Sequence, residues 1–423
     1  MLTTLICTVG GSHQPIVQAI ESLTPDFVCF VCSDDDPATG RSGSYTQIQG
    51  RGHIIKADVG DDRPSLPNIP VQVGLAAERF EVIRVEPDDF DDVYGKVTAW
   101  LARRDRHQER IIADYTGGTK TMSAALVVAA LDDEGVEVQL VTGRRDNLVR
   151  VESDGDVLPA SVEATRFRRR LREALLPWLR FAYDESVHLL EALPSPRDAT
   201  LRGDHRRALD LSRAFAAWDR FDHMTAQEIL SHYRKLLGPS HGVLLSSLDV
   251  LVNVDKPGRE PMQLFDLWRN AQRRAAQGRF DDAVARLYRL LEWSAQWLLR
   301  EQAGIDTADV PKDAIPADWD LRPCRDGRYQ LGLYQAWGLA AHHCGDELAG
   351  FWQQEQARLL NLLQTRNLSI LAHGFRPMSE SDWHGFSKWT GDRLLPLLLE
   401  ITDDRRHYRI GKLPPQLPQR YPF

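Results

Sequence analysis

Arg366, Asn367 and His373 stand in the stretch RNLSILAHG (366–374), and together they have the chemistry to cleave RNA without a metal. A guanidinium holds the scissile phosphate through two hydrogen bonds and stays charged throughout. Imidazole takes the proton of a 2′-hydroxyl or gives one to the leaving oxygen, a role worth ~10²–10⁴ in rate. The amide of Asn367 can orient the phosphate. No cluster of carboxylates with metal spacing lies nearby in the sequence, which disfavours two-metal chemistry. The plain alternative makes Arg366 and His373 surface or packing residues of a helix.

A second group of residues suits phosphates. In DYTGGTKTM (114–122), a short apolar run ends in a glycine turn and a new helix begins at once. Gly117 and Gly118 let backbone approach a ligand closely, while Thr116, Thr119 and the first helical amides supply donors. Helix N-termini prefer anions, and Lys120 adds a cation. The spacing is not that of a Walker motif. A similar turn closes the first apolar run at Thr8, Gly10, Gly11, Ser12 and Gln14, and Ser33 and Asp34 end the second. Asp34 suits a ribose hydroxyl or an adenine amino group.

These groups need elements to hold them. Leu359, Leu360, Leu362, Leu363, Leu368 and Leu371 predict one helix over 356–374 with a leucine face, stopped by Gly374. On such a helix Arg366 and His373 share a face but lie ~10 Å apart along the axis. Two chains meeting about an axis would gather both pairs in one cleft, so a homodimer is the economical arrangement. The helix C-terminus would favour a protonated His373 and the acid role.

The first ~150 residues alternate strand and helix patterns, which predicts an α/β Rossmann-like domain with a mainly parallel sheet. Strands are expected at 3–9, 27–32, 82–85, 110–114 and 136–142, with Leu148 to Val151 closing the sheet, and helices at 14–23, 90–103 and 119–132. If the strands ending at Val9 and Asp114 are neighbours, both glycine turns face one pocket at the switch point of the sheet. A dinucleotide cofactor is disfavoured, because GxGxxG is missing after the first strand. From about Ala160 onward the pattern is helical almost to the end. The expected division is 1–155 for the sensing domain, 156–275 for a connecting helical region and 276–423 for an all-α nuclease domain. Arginines between Thr165 and Arg172 read as a solvated helix face, with an RNA groove as the minority reading.

With 423 residues, the chain is long enough for two or three domains. Its 43% hydrophobic and 26% charged residues are those of a water-soluble protein, and no apolar run approaches membrane-spanning length. A net charge of −8 argues against non-specific coating of nucleic acid. Five scattered cysteines fit a reducing cytoplasm, and Cys29 and Cys32, inside an apolar run, read as core rather than a redox pair.

TVGGSHQP after the first strand and DYTGGTKTM after a later one resemble the CRISPR-associated Rossmann fold (CARF) domain over about the first third of the chain. RNLSILAHG resembles the R-x4-6-H signature of HEPN ribonucleases, and DDAVARLYRLLEWSAQWLL (281–299) resembles their companion helix. The resemblance implies a homodimeric endoribonuclease of type III CRISPR defence, needing no cofactor or metal. It implies cleavage of single-stranded RNA to a 2′,3′-cyclic phosphate at the dimer axis. Its expected allosteric activator is a cyclic oligoadenylate, a tetra- or hexa-adenylate. Degradation of that activator by the sensor domain, through Thr8, Ser12 or Thr119, is a further option that the sequence leaves open. The competing reading is a nucleotide-sensing regulatory protein whose helical part is a non-catalytic interaction surface.

Overall fold

The computed structural model describes residues 1–36, 40–49, 66–142, 145–146, 150–151, 156–372, 374–403 and 408–423. The chain divides into two compact units, Met1–Arg169 and Arg170–Phe423.

The first unit is the α/β domain. Its elements are β1 (Leu2–Val9), α1 (Gln14–Leu23), β2 (Phe27–Ser33), the short α2 (Thr46–Gln49) and α3 (Ile69–Gln72), β3 (Phe80–Val85), α4 (Phe90–Leu101), β4 (Glu109–Asp114), α5 (Lys120–Asp132), β5 (Val136–Thr142), β6 (Arg145–Asp146), β7 (Arg150–Val151) and β8 (Asp156–Pro159). The sheet order is β3-β2-β1-β4-β5-β8, parallel except for the antiparallel β5–β8 pair.

The central strands read as unbroken apolar runs because both of their faces are covered. Alternate residues of β1 and β2 go to opposite cores. Leu5, Cys7, Val28 and Phe30 pack toward α1, whereas Ile6, Cys29 and Val31 pack toward α4 and α5. Cys29 and Cys32 are therefore core residues, as their apolar setting implied.

The closing strand differs from expectation. Asp156–Pro159 pairs with β5, while Arg150–Val151 pairs with Arg145–Asp146 in a separate two-stranded ribbon, and Leu148 and Val149 lie outside the described residues. The sequence signal at 148–151 is apolar like that at 156–159, so period alone does not choose between them.

The second unit is helical: α6 (Glu163–Ala174) runs into it from the first, followed by α7 (Tyr183–Glu191), α8 (Ala199–Asp219), α9 (His223–Leu237), α10 (Gly242–Val252), α11 (Arg259–Ala276), α12 (Phe280–Ala303), α13 (Leu333–His343), α14 (Asp346–Asn367), α15 (Glu380–Trp389), a π-helical turn Thr390–Leu394 and α16 (Leu395–Ile401). α12 is at its centre, flanked by α11, α13 and α15 and burying Leu287, Leu290, Leu291 and Leu298 completely.

Beside this apolar core runs a buried ionic network. Arg273 on α11 is wholly buried and donates to Asp219 at 2.7 Å, to Asp266 at 3.4 Å and to Gln416 at 2.8 Å. His223 lies 2.9 Å from Asp266, and the Trp218 indole donates to the same carboxylate at 3.1 Å. Buried charges persist only when matched in this way. Among the described residues, no helix is long and apolar enough to cross a membrane.

Candidate ligand and active sites

The expected meeting of the two glycine turns is present. β1 and β4 are parallel neighbours, and the sheet reverses its strand order between them. The turns are pressed together: a Cβ on Gly10 would lie 2.7 Å from the Gly118 nitrogen, and one on Gly117 would lie 2.2 Å from the Thr8 oxygen. Gly118 has φ +79, a left-handed backbone that glycine adopts without cost. Gly11 is exposed with open space around it, and the Lys120 side chain is exposed at the first turn of α5.

The threonines serve the turn itself, contrary to the expectation that their hydroxyls face a ligand. Thr8 is completely buried and its hydroxyl donates to the Gly117 carbonyl at 2.7 Å. The Thr116 hydroxyl accepts from the Val141 amide at 2.7 Å. Thr119 caps α5, accepting from the Met122 amide at 3.2 Å and donating to the Pro87 carbonyl at 2.6 Å. Short hydroxyl side chains beside a tight turn satisfy the nearest backbone group first, and Lys120 is the exposed charged side chain at this turn.

Ser12 donates to Gln14 at 2.9 Å. Ser33 exchanges hydrogen bonds with Ser44, which orders the end of β2. Asp34 accepts from the Asp35 amide and is paired with Arg84, and these hold its carboxyl below the usual range. Arg84 in turn lies 3.7 Å over the Tyr45 ring. Asp34 thus carries its own cation, which a ribose hydroxyl would have to compete with.

Two supports here were not foreseen. Gln47 on α2 is buried, its side-chain amide donates to the Gly10 carbonyl, and its own carbonyl oxygen has no hydrogen-bond partner among the described residues. Nothing in the local sequence marks it, since the contact spans 37 residues. Asp114 is buried beneath the second turn, accepting from the Thr116 amide at 2.9 Å and from Gln139 at 3.0 Å. Burial pushes its carboxyl above the usual range, against those hydrogen bonds.

In the second unit, the expected single helix over 356–374 is corrected. α14 ends at Asn367, Ser369 donates to the Arg366 carbonyl at 2.8 Å, and Arg376 doubles back to donate to the Leu368 carbonyl at 3.1 Å. Gly374 is needed where the strands of this turn cross, because a Cβ there would sit 2.0 Å from the Leu368 oxygen. It is the return point of a turn rather than a helix stop. Leu368 and Leu371, expected on the buried face, are 53% and 50% exposed. Leucine spacing extended the helix too far because nothing in it distinguishes a covered face from an uncovered one. His373 lies outside the described residues.

Arg366 occupies the last turn of α14, where a cation opposes the negative end of the helix dipole. Its guanidinium carbon is 4.0 Å above the Tyr288 ring of α12, Nη1 is 3.3 Å from Asn367 Oδ1, and Nε is buried with no hydrogen-bond partner among the described residues. Asn367 is exposed. A stacked guanidinium is oriented while its outer N–H groups stay available to an oxyanion. Tyr288 lies within the stretch 281–299 that the sequence singled out, though as a helix former rather than a partner of Arg366.

Residues 256–392 match the family model of the Csm6 HEPN domain. The match spans α11 to α15 and includes Arg366, Asn367 and His373. The α/β unit with its mainly parallel sheet precedes the matched residues in the chain. Similar solved structures include Enterococcus italicus Csm6 bound to cyclic hexa-2′-fluoro-hexa-dAMP, at 12% identity over 96% of each chain and a TM-score of 0.49. Can2 from Sulfobacillus thermosulfidooxidans, in complex with cyclic tetra-adenylate, is 12% identical over 56% of this chain and 66% of its own, with a TM-score of 0.25. A type III CRISPR defence DNA nuclease activated by cyclic oligoadenylate is 15% identical over 58% of this chain and 33% of its own, also with a TM-score of 0.25. A search of curated proteins finds no match.

Proposed function

We propose that this protein is an endoribonuclease of CRISPR defence, switched on when a cyclic oligoadenylate binds at the paired glycine turns. The observation that carries the reading is the HEPN match over residues 256–392, which includes the one constellation in the sequence suited to metal-free RNA cleavage. Arg366, poised on Tyr288, holds the scissile phosphate, and Asn367 orients it. His373 moves the proton between the 2′-hydroxyl and the leaving oxygen, so the product ends in a 2′,3′-cyclic phosphate. Two copies of the chain supply one composite cleft, with single-stranded RNA as substrate.

Support for the activator site comes from the first unit. Both glycine turns face the carboxyl ends of neighbouring parallel strands, where open α/β sheets bind ligands, and Lys120 with the first amides of α5 suits a phosphate. A cyclic tetra- or hexa-adenylate offers phosphates with its own rotational symmetry, matching two such sites related by a dimer axis.

The test is incubation of purified protein with labelled RNA, with and without each cyclic adenylate, in EDTA. The expected outcome is cleavage only with activator, abolished by Arg366→Ala and by His373→Ala with the dimer intact. Full activity in both variants would remove the site assignment. Activator binding with no cleavage by the parent would leave a nucleotide-sensing regulator instead.

A further inference from the structure

The sequence contains two Gly-Gly steps, Gly10-Gly11 and Gly117-Gly118, and both lie in the paired turns. In each, side chains from other elements grip the carbonyl of the first glycine. The Gly10 carbonyl accepts from the side-chain amide of Gln47, and the Gly117 carbonyl accepts from the Thr8 and Ser123 hydroxyls, both at 2.7 Å.

These peptide bonds are trans, so each C=O and the N–H that follows it point in opposite directions. Holding the Gly10 carbonyl therefore turns the Gly11 N–H away from Gln47. Holding the Gly117 carbonyl turns the Gly118 N–H away from Thr8 and Ser123. Gln47 and Thr8 are 1% and 0% exposed, so they grip from the buried side, whereas Gly11 is exposed with nothing within 4 Å of where a Cβ would be. Neither amide donates to any group among the described residues. Gly10 must lack a side chain, because a Cβ there would lie 2.7 Å from the Gly118 nitrogen and cover it.

Gln47 is otherwise a poor choice for a buried position. Its Oε1 has no hydrogen-bond partner among the described residues, and a buried acceptor left unmatched is costly. An apolar side chain of similar size would avoid that cost but leave the Gly10 carbonyl without its donor. The segment ahead of Gln47 is itself fastened, since Ser44 exchanges hydrogen bonds with Ser33 at the end of β2. Ser33, expected beside the ligand, thus has a part in holding Gln47.

The structure assigns Gln47 as a positioning residue of the activator site. By fixing the Gly10–Gly11 peptide it presets the Gly11 N–H, which joins the Gly118 N–H set by Thr8 and Ser123 as a pair of donors for one phosphodiester. Two N–H groups on adjoining turns suit the two non-bridging oxygens of such a linkage, and donors fixed before binding lose little freedom when the ligand arrives. Lys120, exposed at the start of α5, adds the opposite charge. This inference rests on the cyclic-oligoadenylate reading above.

Full-length deuterated protein, isotope-labelled at the glycine carbonyl carbon and nitrogen, tests it. A magnetic resonance spectrum correlating each amide with the preceding carbonyl then shows only glycines that follow glycine, so Gly11 and Gly118 give its two signals and Gly11→Ala identifies the first. Cyclic tetra-adenylate and cyclic hexa-adenylate are added in turn, then the better-binding ring with methylphosphonate linkages, which keep the adenines and lose the charged oxygen. Both signals should move downfield with the phosphodiester ring and stay in place with the methylphosphonate one. Gln47→Leu should displace the Gly11 signal before ligand is added, abolish its response and weaken ring binding at least ~10-fold, as expected for one hydrogen bond to a charged group. Gln47→Glu, of the same size but without the donor, should do the same, and the Gly118 signal reports in both that the domain is folded. A ring that binds the parent without moving either signal, or a Gly11 response and an affinity unchanged in both variants, would overturn the proposal while the activator reading stands. If neither ring binds, sodium pyrophosphate is the remaining probe. Movement of both signals by it, lost at Gly11 in the Gln47 variants, would uphold the preset donors and remove only the activator reading; no movement would overturn both.

Discussion

Alanine at Gly118 tests the paired glycine turns most sharply. A left-handed backbone costs a non-glycine residue ~1–2 kcal/mol. The new Cβ would also lie 2.8 Å from Thr8 Cβ and 3.2 Å from Met122 Cβ. Thr8 is fully buried and held by its bond to Gly117, so it has nowhere to swing, and overpacking of this kind costs ~1–3 kcal/mol. Together the terms give ~2–5 kcal/mol, which at ~1.4 kcal/mol per tenfold is a ~30- to 4,000-fold rise in the opening equilibrium. Hydrogen exchange followed by mass spectrometry localises the loss. Peptides from β1, β4 and α5 should exchange faster by that factor, and those from α12 and α14 should not change. The activator concentration for half-maximal RNA cleavage should rise at least ~10-fold, while the rate at saturation holds. Parent-like protection in β1 and β4, with an unshifted activation curve, would refute both the packing and the ligand site built on it.

Removing the Arg273 side chain leaves Asp219 and Asp266 buried without their shared cation, at a cost of ~3–5 kcal/mol. Arg273→Ala should therefore lower the melting temperature by ~6–20 °C, and a drop under ~2 °C would show the network to be dispensable. At Asp114 the folded carboxyl is raised by burial, so its stability contribution is complete below the unfolded value and is lost as pH rises through the folded one. The melting temperature of Asp114→Asn minus that of the parent should accordingly grow from about pH 4 to about pH 7, and a flat difference would count against a buried titrating group. Tyr288→Leu takes away the ring under Arg366, worth ~0.5–2 kcal/mol, so RNA cleavage should slow ~2- to 30-fold while Tyr288→Phe stays near the parent. Equal rates in the Leu and Phe variants would show that the stack does not hold Arg366.

The α/β domain was legible in the sequence because doubly covered strands must be apolar throughout, and Thr3 to Val9, Phe27 to Cys32 and Arg110 to Asp114 show that pattern between clear turns. The glycines at 10, 117 and 118 were equally legible, since only glycine fits where two backbones approach within the reach of a Cβ. Arg366, Asn367 and His373 stood out by type and spacing. Tertiary structure alone decided the rest. Whether the two turns meet depends on β1 pairing with β4, a contact across more than a hundred residues that no local period encodes. Thr8, Thr116 and Thr119 looked like ligand donors until packing gave each a backbone partner nearby. The end of α14 at Asn367, well before Gly374, also escaped the sequence, because leucine spacing reports what could be buried and only the neighbouring elements determine what is.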